Sequence, residues 1–432
     1  MCTMLKNLVC GPNKKYSIQF KYFGKYLFDC LNERRPSETI AINSVTNESL
    51  RCGDLLSKSI NLATHMQKLS LKKGDVVSLV SENNFNCYIV ACATLFCGAT
   101  LQPLNYAYTS NELKHAFTLS KPKLVFSSKT SINKISSIQK DVNSIQKIVS
   151  TDHETVFNHV NLNELTNTIG TTNFFEPVVG DASDTALLCL SSGTTGLPKC
   201  VELSHQNLIP ITNFADDKEY VRFTSEDVIT LFLPFFHIYG LLIYFLAIIK
   251  SFTVILMQDF KPDTFLQIVE KYRGTKLFLV PPTLLFLNNL TDSQRRLASV
   301  QDILVGGAPL SNELYQSAAE KFSHCSVRQM YGATETCGLC VMETVGNTRP
   351  KANIGKPLWN TTVKIADVNT NKVLGPFENG EICIKTLSIM KGYLNNPFET
   401  KNCIDNDGFY HTGDIGYYDQ HKHLFIVIDS KN

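Results

Sequence analysis

Short apolar or β-branched runs of strand length take turns with stretches that are apolar at helical spacing, and this alternation constrains the fold more than any other feature. Residues 76–80, 99–102, 124–126 and 147–149 read as strands, and 49–69 and 86–96 as helices. Thr109-Ser110-Asn111-Glu112 sets a hydroxyl and a carboxylate three residues apart, the pattern of a capping box that opens a helix. Further on, 253–257, 276–280 and 303–305 read as strands, with helices over 264–271 and 311–322. Strands separated by helices pair in parallel, so the expected fold is α/β, with two doubly wound sheets flanked by helices. Beyond about residue 353 the pattern changes to short strands at 362–367, 381–385 and 424–428 between Asn/Gly/Pro turns, without convincing helices. A small β-barrel-like subdomain over about 353–428 is expected, packed on the α/β sheets of about 1–350.

At 432 residues, 44% hydrophobic and 19% charged, the chain can bury large cores. Its net charge of +2, with the signs interspersed, points to neither nucleic acid nor an anionic membrane as partner. The 14 cysteines are scattered. Cys337-Gly338-Leu339-Cys340 lacks the second pair or nearby His of a zinc site and reads as two free thiols. Residues 1–15 carry polar and charged groups where a signal peptide needs an apolar core, so a reducing compartment is expected rather than a disulfide framework. Residues 228–249 match a membrane span in length, but Pro234, His237 and Gly240 interrupt them. A strand over 229–233 and a buried helix over 241–249 is the reading adopted, with no transmembrane segment.

The chemistry begins at Ser191-Ser192-Gly193-Thr194-Thr195-Gly196-Leu197-Pro198-Lys199, which follows the apolar run 185–190. Two glycines free the backbone to turn, four hydroxyls add donors, and Lys199 adds a positive charge, a combination suited to phosphate oxygens. The usual nucleotide loop has Gly before the Lys and Ser or Thr after it; here Pro198 and Cys200 take those places, so a different phosphate-loop family is indicated. Val305-Gly306-Gly307-Ala308-Pro309-Leu310-Ser311 is a strand end, a glycine turn and a helix start, and serves equally as a plain connection or as a bed for a flat base. In Gln329-Met330-Tyr331-Gly332-Ala333-Thr334-Glu335-Thr336, Tyr331 offers an aromatic face, Thr334 a hydroxyl for phosphate, and Glu335 an oxygen ligand for Mg²⁺. His237, in Phe235-Phe236-His237-Ile238-Tyr239, stands among aromatics, where a histidine is more often packed than catalytic. Asp414, ending Gly408-Phe409-Tyr410-His411-Thr412-Gly413-Asp414, is ordinarily a turn residue.

Together and in this order, these segments resemble the acyl-adenylate-forming superfamily, which holds acyl-CoA synthetases, 4-coumarate-CoA ligases and beetle luciferases. The resemblance implies ATP, Mg²⁺ and coenzyme A as cofactors and a small carboxylic acid as substrate. It places residues 191–196 and Lys199 on the phosphates, Gly306, Gly307, Ala308, Pro309, Gln329, Tyr331 and Gly332 around adenine, and both ribose hydroxyls on Asp414. Thr334 and Glu335 would hold phosphate and metal; His237 would lie by the acyl carboxylate, with Tyr239, Gly307 and Gly332 at the acyl pocket. The implied reaction is attack of the carboxylate on the α-phosphate of ATP, giving acyl-AMP, followed by displacement of AMP by a thiol. In luciferases the adenylate is oxidised instead, but 215–218 (Ala-Asp-Asp-Lys) lack Arg at the matching luciferin contact. A non-catalytic nucleotide-binding remnant is the third reading.

Family members continue past Phe425-Ile426-Val427 into a hinge and a C-terminal lobe with a catalytic lysine, whereas this sequence reads Ile428-Asp429-Ser430-Lys431-Asn432 and stops. The sequence is therefore expected to hold the large lobe over 1–428 and the start of a hinge at 429–432, with reduced turnover. Cys200 stands where the family commonly has Gly, with a modest effect expected. Peroxisome and cytoplasm both remain open as compartments, since luciferase relatives often end in Ser-Lys-Leu and this chain does not. Fatty acid metabolism is a further implication of the likeness.

Overall fold

The computed structural model describes residues 7–15, 22–152, 159–167, 175–191, 198–346 and 352–427. Among them, a first sheet of eight strands runs in the order Gly392–Tyr393, Lys199–Ser204, Thr185–Ser191, Thr100–Leu104, Val76–Val80, Leu124–Ser127, Lys147–Ser150, Val160–Asn161. Neighbours from Thr185–Ser191 onward are parallel. Lys199–Ser204 instead returns antiparallel beside Thr185–Ser191, and Gly392–Tyr393 closes that edge antiparallel to it. The second sheet, of nine strands, has a parallel centre made of Ser326–Ala333, Asp302–Val305, Lys276–Leu279, Val228–Leu231, Thr253–Leu256 and Thr39–Asn43. The expected α/β architecture is the one the chain adopts.

Two helices explain how so apolar a chain stays compact. Phe85–Phe96 is buried from Cys87 onward, and Ile238–Lys250 is buried on nearly every side, the signature of helices with no solvent face. Their Tyr88 and Tyr244 rings lie 4.5 Å apart, and both helices share one continuous core with residues of the two parallel sheets. No helix among the described residues is long and apolar enough to cross a membrane. Thr109 and Glu112 make the expected capping box, with Glu112 N donating to Thr109 Oγ1 at 3.3 Å and Thr109 N to Glu112 Oε2 at 2.8 Å.

A third sheet of five antiparallel strands follows the order Val9–Cys10, Thr362–Ala366, Gly380–Lys385, Tyr410–Tyr418, Leu424–Ile426, forming a half-barrel. Its inner face packs Val363, Ile365, Ile382 and Ile384 against Cys340 and Val341 of the second sheet, so the two share a core.

Two sequence expectations are corrected. Residues 49–69 are not one helix: Ser49–Arg51 is a strand paired with Thr39–Asn43, its Leu50 buried and its neighbours exposed, and the helix starts at Cys52. The stretch beyond 353 does contain a helix, Pro397–Cys403, started by Pro at its first turn and by Asn396, whose Oδ1 accepts from Glu399 N at 3.1 Å.

Candidate functional site

The carboxyl ends of the parallel strands converge on one cavity of about 670 Å³, the position where open α/β sheets hold ligands. Ser191, Pro198 and Lys199 reach it from the first sheet, Gly306, Gly307 and Tyr331 to Glu335 from the second, and His411 to Gly413 from the third. His237 and Tyr239 enter with the helix Ile238–Lys250, whose Leu242, Ile243 and Leu246 add an apolar wall together with Phe214 and Phe278. Segments far apart in sequence thus meet at one place.

Ser192, Gly193, Thr194, Thr195 and Gly196 lie outside the described residues. Ser191 and Lys199 are register partners in an antiparallel pair, and Lys199 opens a strand, Lys199–Ser204, rather than a helix. Successive strand residues face opposite ways, which turns Lys199 to the cavity and leaves Cys200 in the core, off the cavity wall. Burial pushes the Cys200 thiol up to about 12, so it is an inert apolar filler.

Lys199 Nζ meets Glu399 Oε2 at 2.5 Å and lies 5.0 Å from the centre of the Tyr393 ring. The Tyr393 hydroxyl in turn donates to Glu335 Oε1 at 2.9 Å. Thr334 and Glu335 are buried in a short 3₁₀ turn, which is fastened by Met390 N donating to the Glu335 carbonyl at 2.8 Å. Burial, and then the Glu335 charge, hold the Tyr393 hydroxyl far above its usual range, so it stays a donor.

Tyr331 donates its hydroxyl to Asp414 Oδ2 at 2.6 Å, which binds the second sheet to the third across the cavity rim. Asp414 is exposed, so its carboxylate also remains open to a ligand. Gly332 is required by packing: a Cβ there would stand 1.8 Å from the Gly338 carbonyl oxygen. Gly307 has φ +82°, in the left-handed region that glycine tolerates.

His237 is the N-cap of its helix, its Nδ1 accepting from Tyr239 N at 3.3 Å, a role that requires the other ring nitrogen to carry the proton of the neutral form. Although open to the cavity, the ring is walled by protein, and that burial lowers its pKa. The Tyr239 hydroxyl is spent on the carbonyls of Leu304 and Leu279, at 3.2 and 3.4 Å, leaving its ring to face the cavity. Four described candidates stand off the wall: Ala308 and Pro309 are exposed, Gln329 is buried with its N–H bound to Glu343 Oε2 at 2.8 Å, and Asp414 stands one residue beyond Gly413, joined to the lining through Tyr331. Residues 215–218 do not line the cavity either; Asp217 is bound to Lys14 Nζ at 2.8 Å and Trp359 Nε1 at 2.6 Å.

Sequence reasoning missed Tyr393, Glu399, Glu381 and His411. Gly392–Tyr393 reaches the site by pairing with Val201–Glu202, a long-range register that no local pattern announces. Glu381, Cys383 and His411 bring possible metal-binding atoms within 4.8 Å of one another. The His411 Nδ1 to Glu381 Oε2 contact of 2.7 Å and the Gly413 N to Glu381 Oε1 bond of 2.9 Å make this a hydrogen-bonded brace under the turn that carries Asp414.

A family described as AMP-binding enzyme matches residues 29–394. The luciferin 4-monooxygenase of Nipponoluciola cruciata is 36% identical over 431 residues, spanning 98% of this chain and 78% of that protein. The 4-coumarate-CoA ligase 3 of Arabidopsis thaliana is 33% identical over 410 residues, spanning 93% and 72%. Among solved structures, the luciferase-like enzyme of the nonluminescent mealworm Zophobas morio superposes with a TM-score of 0.89 at 26% identity, covering 97% of this chain and 98% of that one. ATP-bound MatB of Rhodopseudomonas palustris gives 0.85 at 26% identity, covering 95% and 79%.

Proposed function

The chain belongs to the AMP-binding enzyme family, and from that premise we propose that it activates an apolar carboxylic acid with ATP, forming acyl-AMP and pyrophosphate. The observation that carries this reading is the single cavity with two kinds of wall. On one side stand Lys199, Thr334, Glu335 and Tyr331, whose hydroxyl reaches Asp414 at the rim; on the other, Phe214, Leu242, Ile243, Leu246 and Phe278 offer no charge to a substrate tail.

In this reading the acid lies along the apolar wall with its carboxylate near His237. A carboxylate oxygen attacks the α-phosphorus, and the bond to the bridging oxygen breaks, releasing pyrophosphate. Lys199 offsets the charge gathering on the leaving phosphates, Thr334 donates to phosphate oxygen, and Asp414 accepts from the ribose. Being neutral, His237 can stand beside the carboxylate as a donor without holding it as a tight ion pair.

Glu335 suits Mg²⁺: it is a buried hard-oxygen ligand with one oxygen on Tyr393, while the other accepts no hydrogen bond from the described residues. Bound there, Mg²⁺ would supply charge neutralisation for phosphate oxygens. In the second half-reaction the sulfur of a thiol, coenzyme A by likeness to the ligase relatives, attacks the acyl carbon and AMP leaves.

The test is ATP–pyrophosphate exchange across straight-chain and aryl monocarboxylates and a dicarboxylate, with hydroxylamine trapping of the adenylate. Exchange with apolar monocarboxylates, and little with the dicarboxylate, is the expected result. No heat on titrating ATP into the folded protein would refute the reading. Light on adding luciferin and ATP would redirect it to oxidation of the adenylate.

A further inference from the structure

Lys199 does not meet the cavity as a free cation. Its ammonium group is held by Glu399 at 2.5 Å, and the pair is only partly covered, with side-chain exposures of 28% and 34%. The two residues sit on one braced unit. Lys199 opens the strand Lys199–Ser204, which pairs with Gly392–Tyr393. Tyr393 N donates to Thr400 Oγ1 at 2.8 Å on the helix Pro397–Cys403, and Glu399 N is fixed to Asn396 Oδ1 at the start of that helix. Tyr393 completes the arrangement, its ring toward Lys199 and its hydroxyl on Glu335. One cation therefore stands between two carboxylates, Glu399 directly and Glu335 across the ring.

A polyphosphate entering this site finds its lysine already neutralised. Binding Lys199 then requires an exchange, in which the phosphate tail takes the ammonium and the Glu399 carboxylate turns to water. Partial exposure makes that exchange feasible, because the released carboxylate is solvated rather than stranded.

Resting on the reading of Lys199 as the phosphate-binding lysine, we propose that Glu399 is an internal counter-anion that sets the affinity of the site for nucleotide triphosphate, weakening it by holding Lys199 until the phosphate tail displaces it. The gain on removing it is bounded by what a half-exposed ion pair is worth, which corresponds to about two- to fivefold in affinity.

The experiment titrates ATP, pyrophosphate and adenosine into the wild-type protein, Glu399→Gln, Lys199→Met and the double variant at one ionic strength. Glu399→Gln should bind ATP and pyrophosphate about two- to fivefold more tightly with adenosine unchanged, and the gain should vanish in the Lys199→Met background. Glu399→Ala gives the same reading should the amide form new contacts. Unchanged or weaker ATP binding in both Glu399 variants overturns the proposal, as does an equal gain for adenosine or a gain that survives Lys199→Met. Absence of ATP binding by every protein, wild type included, overturns the nucleotide reading itself and the counter-anion with it.

Discussion

On the apolar side of the cavity, Leu242, Ile243 and Leu246 come from one helix of 13 residues, whereas on the polar side Lys199 and Glu399 touch across 200 residues of sequence. Most of the apolar wall comes from a helix buried on nearly every side, and it is held by dispersion and loss of water contact. The polar wall is made by strand ends, a 3₁₀ turn and one short helix whose groups satisfy one another in a chain from Glu399 through Lys199 and Tyr393 to Glu335. A packed wall tolerates changes that keep volume; a chain of charges tolerates changes that keep hydrogen-bonding capacity. Stability should therefore be concentrated on one side and chemistry on the other.

The strongest challenge to that contrast is Phe278→Ala. Phe278 is buried and its ring lies 6.1 Å from Tyr239 and 6.2 Å from Phe223. Its loss should destabilise the fold by about 3–5 kcal/mol in chemical denaturation. It should also shift acid preference toward bulkier tails while leaving ATP affinity unchanged. Glu335→Gln should do the reverse, lowering pyrophosphate exchange by roughly 100-fold with an unaltered denaturation midpoint. A large loss of stability in that variant would erase the distinction.

Behind the polar wall, Glu343 sharpens the contrast through pH. Burial pushes its carboxyl up to about 7, against hydrogen bonds from Gln329 N, Tyr315 and Asn353. A carboxyl whose folded pKa is raised favours the fold while protonated, so its contribution is complete at acid pH and disappears as pH rises through about 7. Between pH 5 and 8 the wild type should lose on the order of 2 kcal/mol that Glu343→Gln does not lose. The smallest effect is expected for Tyr393→Phe, which keeps the ring near Lys199 and deletes the bond to Glu335. Exchange should slow about tenfold, the worth of a single hydrogen bond to a charged group at its low end.

The same contrast explains what could be read from sequence. The helix over 241–249 was visible as an apolar run, and the structure extends it to Ile238–Lys250, because periodicity and burial are local properties. Thr109 and Glu112 announced their helix for the same reason. Lys199, Thr334, Glu335, Tyr331 and Gly307 were found because each stands in a short motif, and all of them line the cavity. Tyr393 and Glu399 stand in Lys391-Gly392-Tyr393-Leu394-Asn395-Asn396-Pro397-Phe398-Glu399, which reads as a turn. Only the pairing of Gly392–Tyr393 with Val201–Glu202 gives them a part in the site. Ser49–Arg51 reads as helix from sequence because its strand character depends on a partner across a turn.

The edge of the third sheet carries a consequence for biosynthesis. Cys10 and Thr362, neighbours on that edge, are 352 residues apart in the chain. At ribosomal speeds the strand Val9–Cys10 therefore waits roughly twenty seconds to a minute for its partner to emerge. Throughout that wait its amides and Val9 are a sticky end with no mate. The half-barrel is thus among the last parts of the molecule to assemble, and a chaperone that shields the nascent strand Val9–Cys10 should raise the yield of folded protein more than one that acts on the released chain.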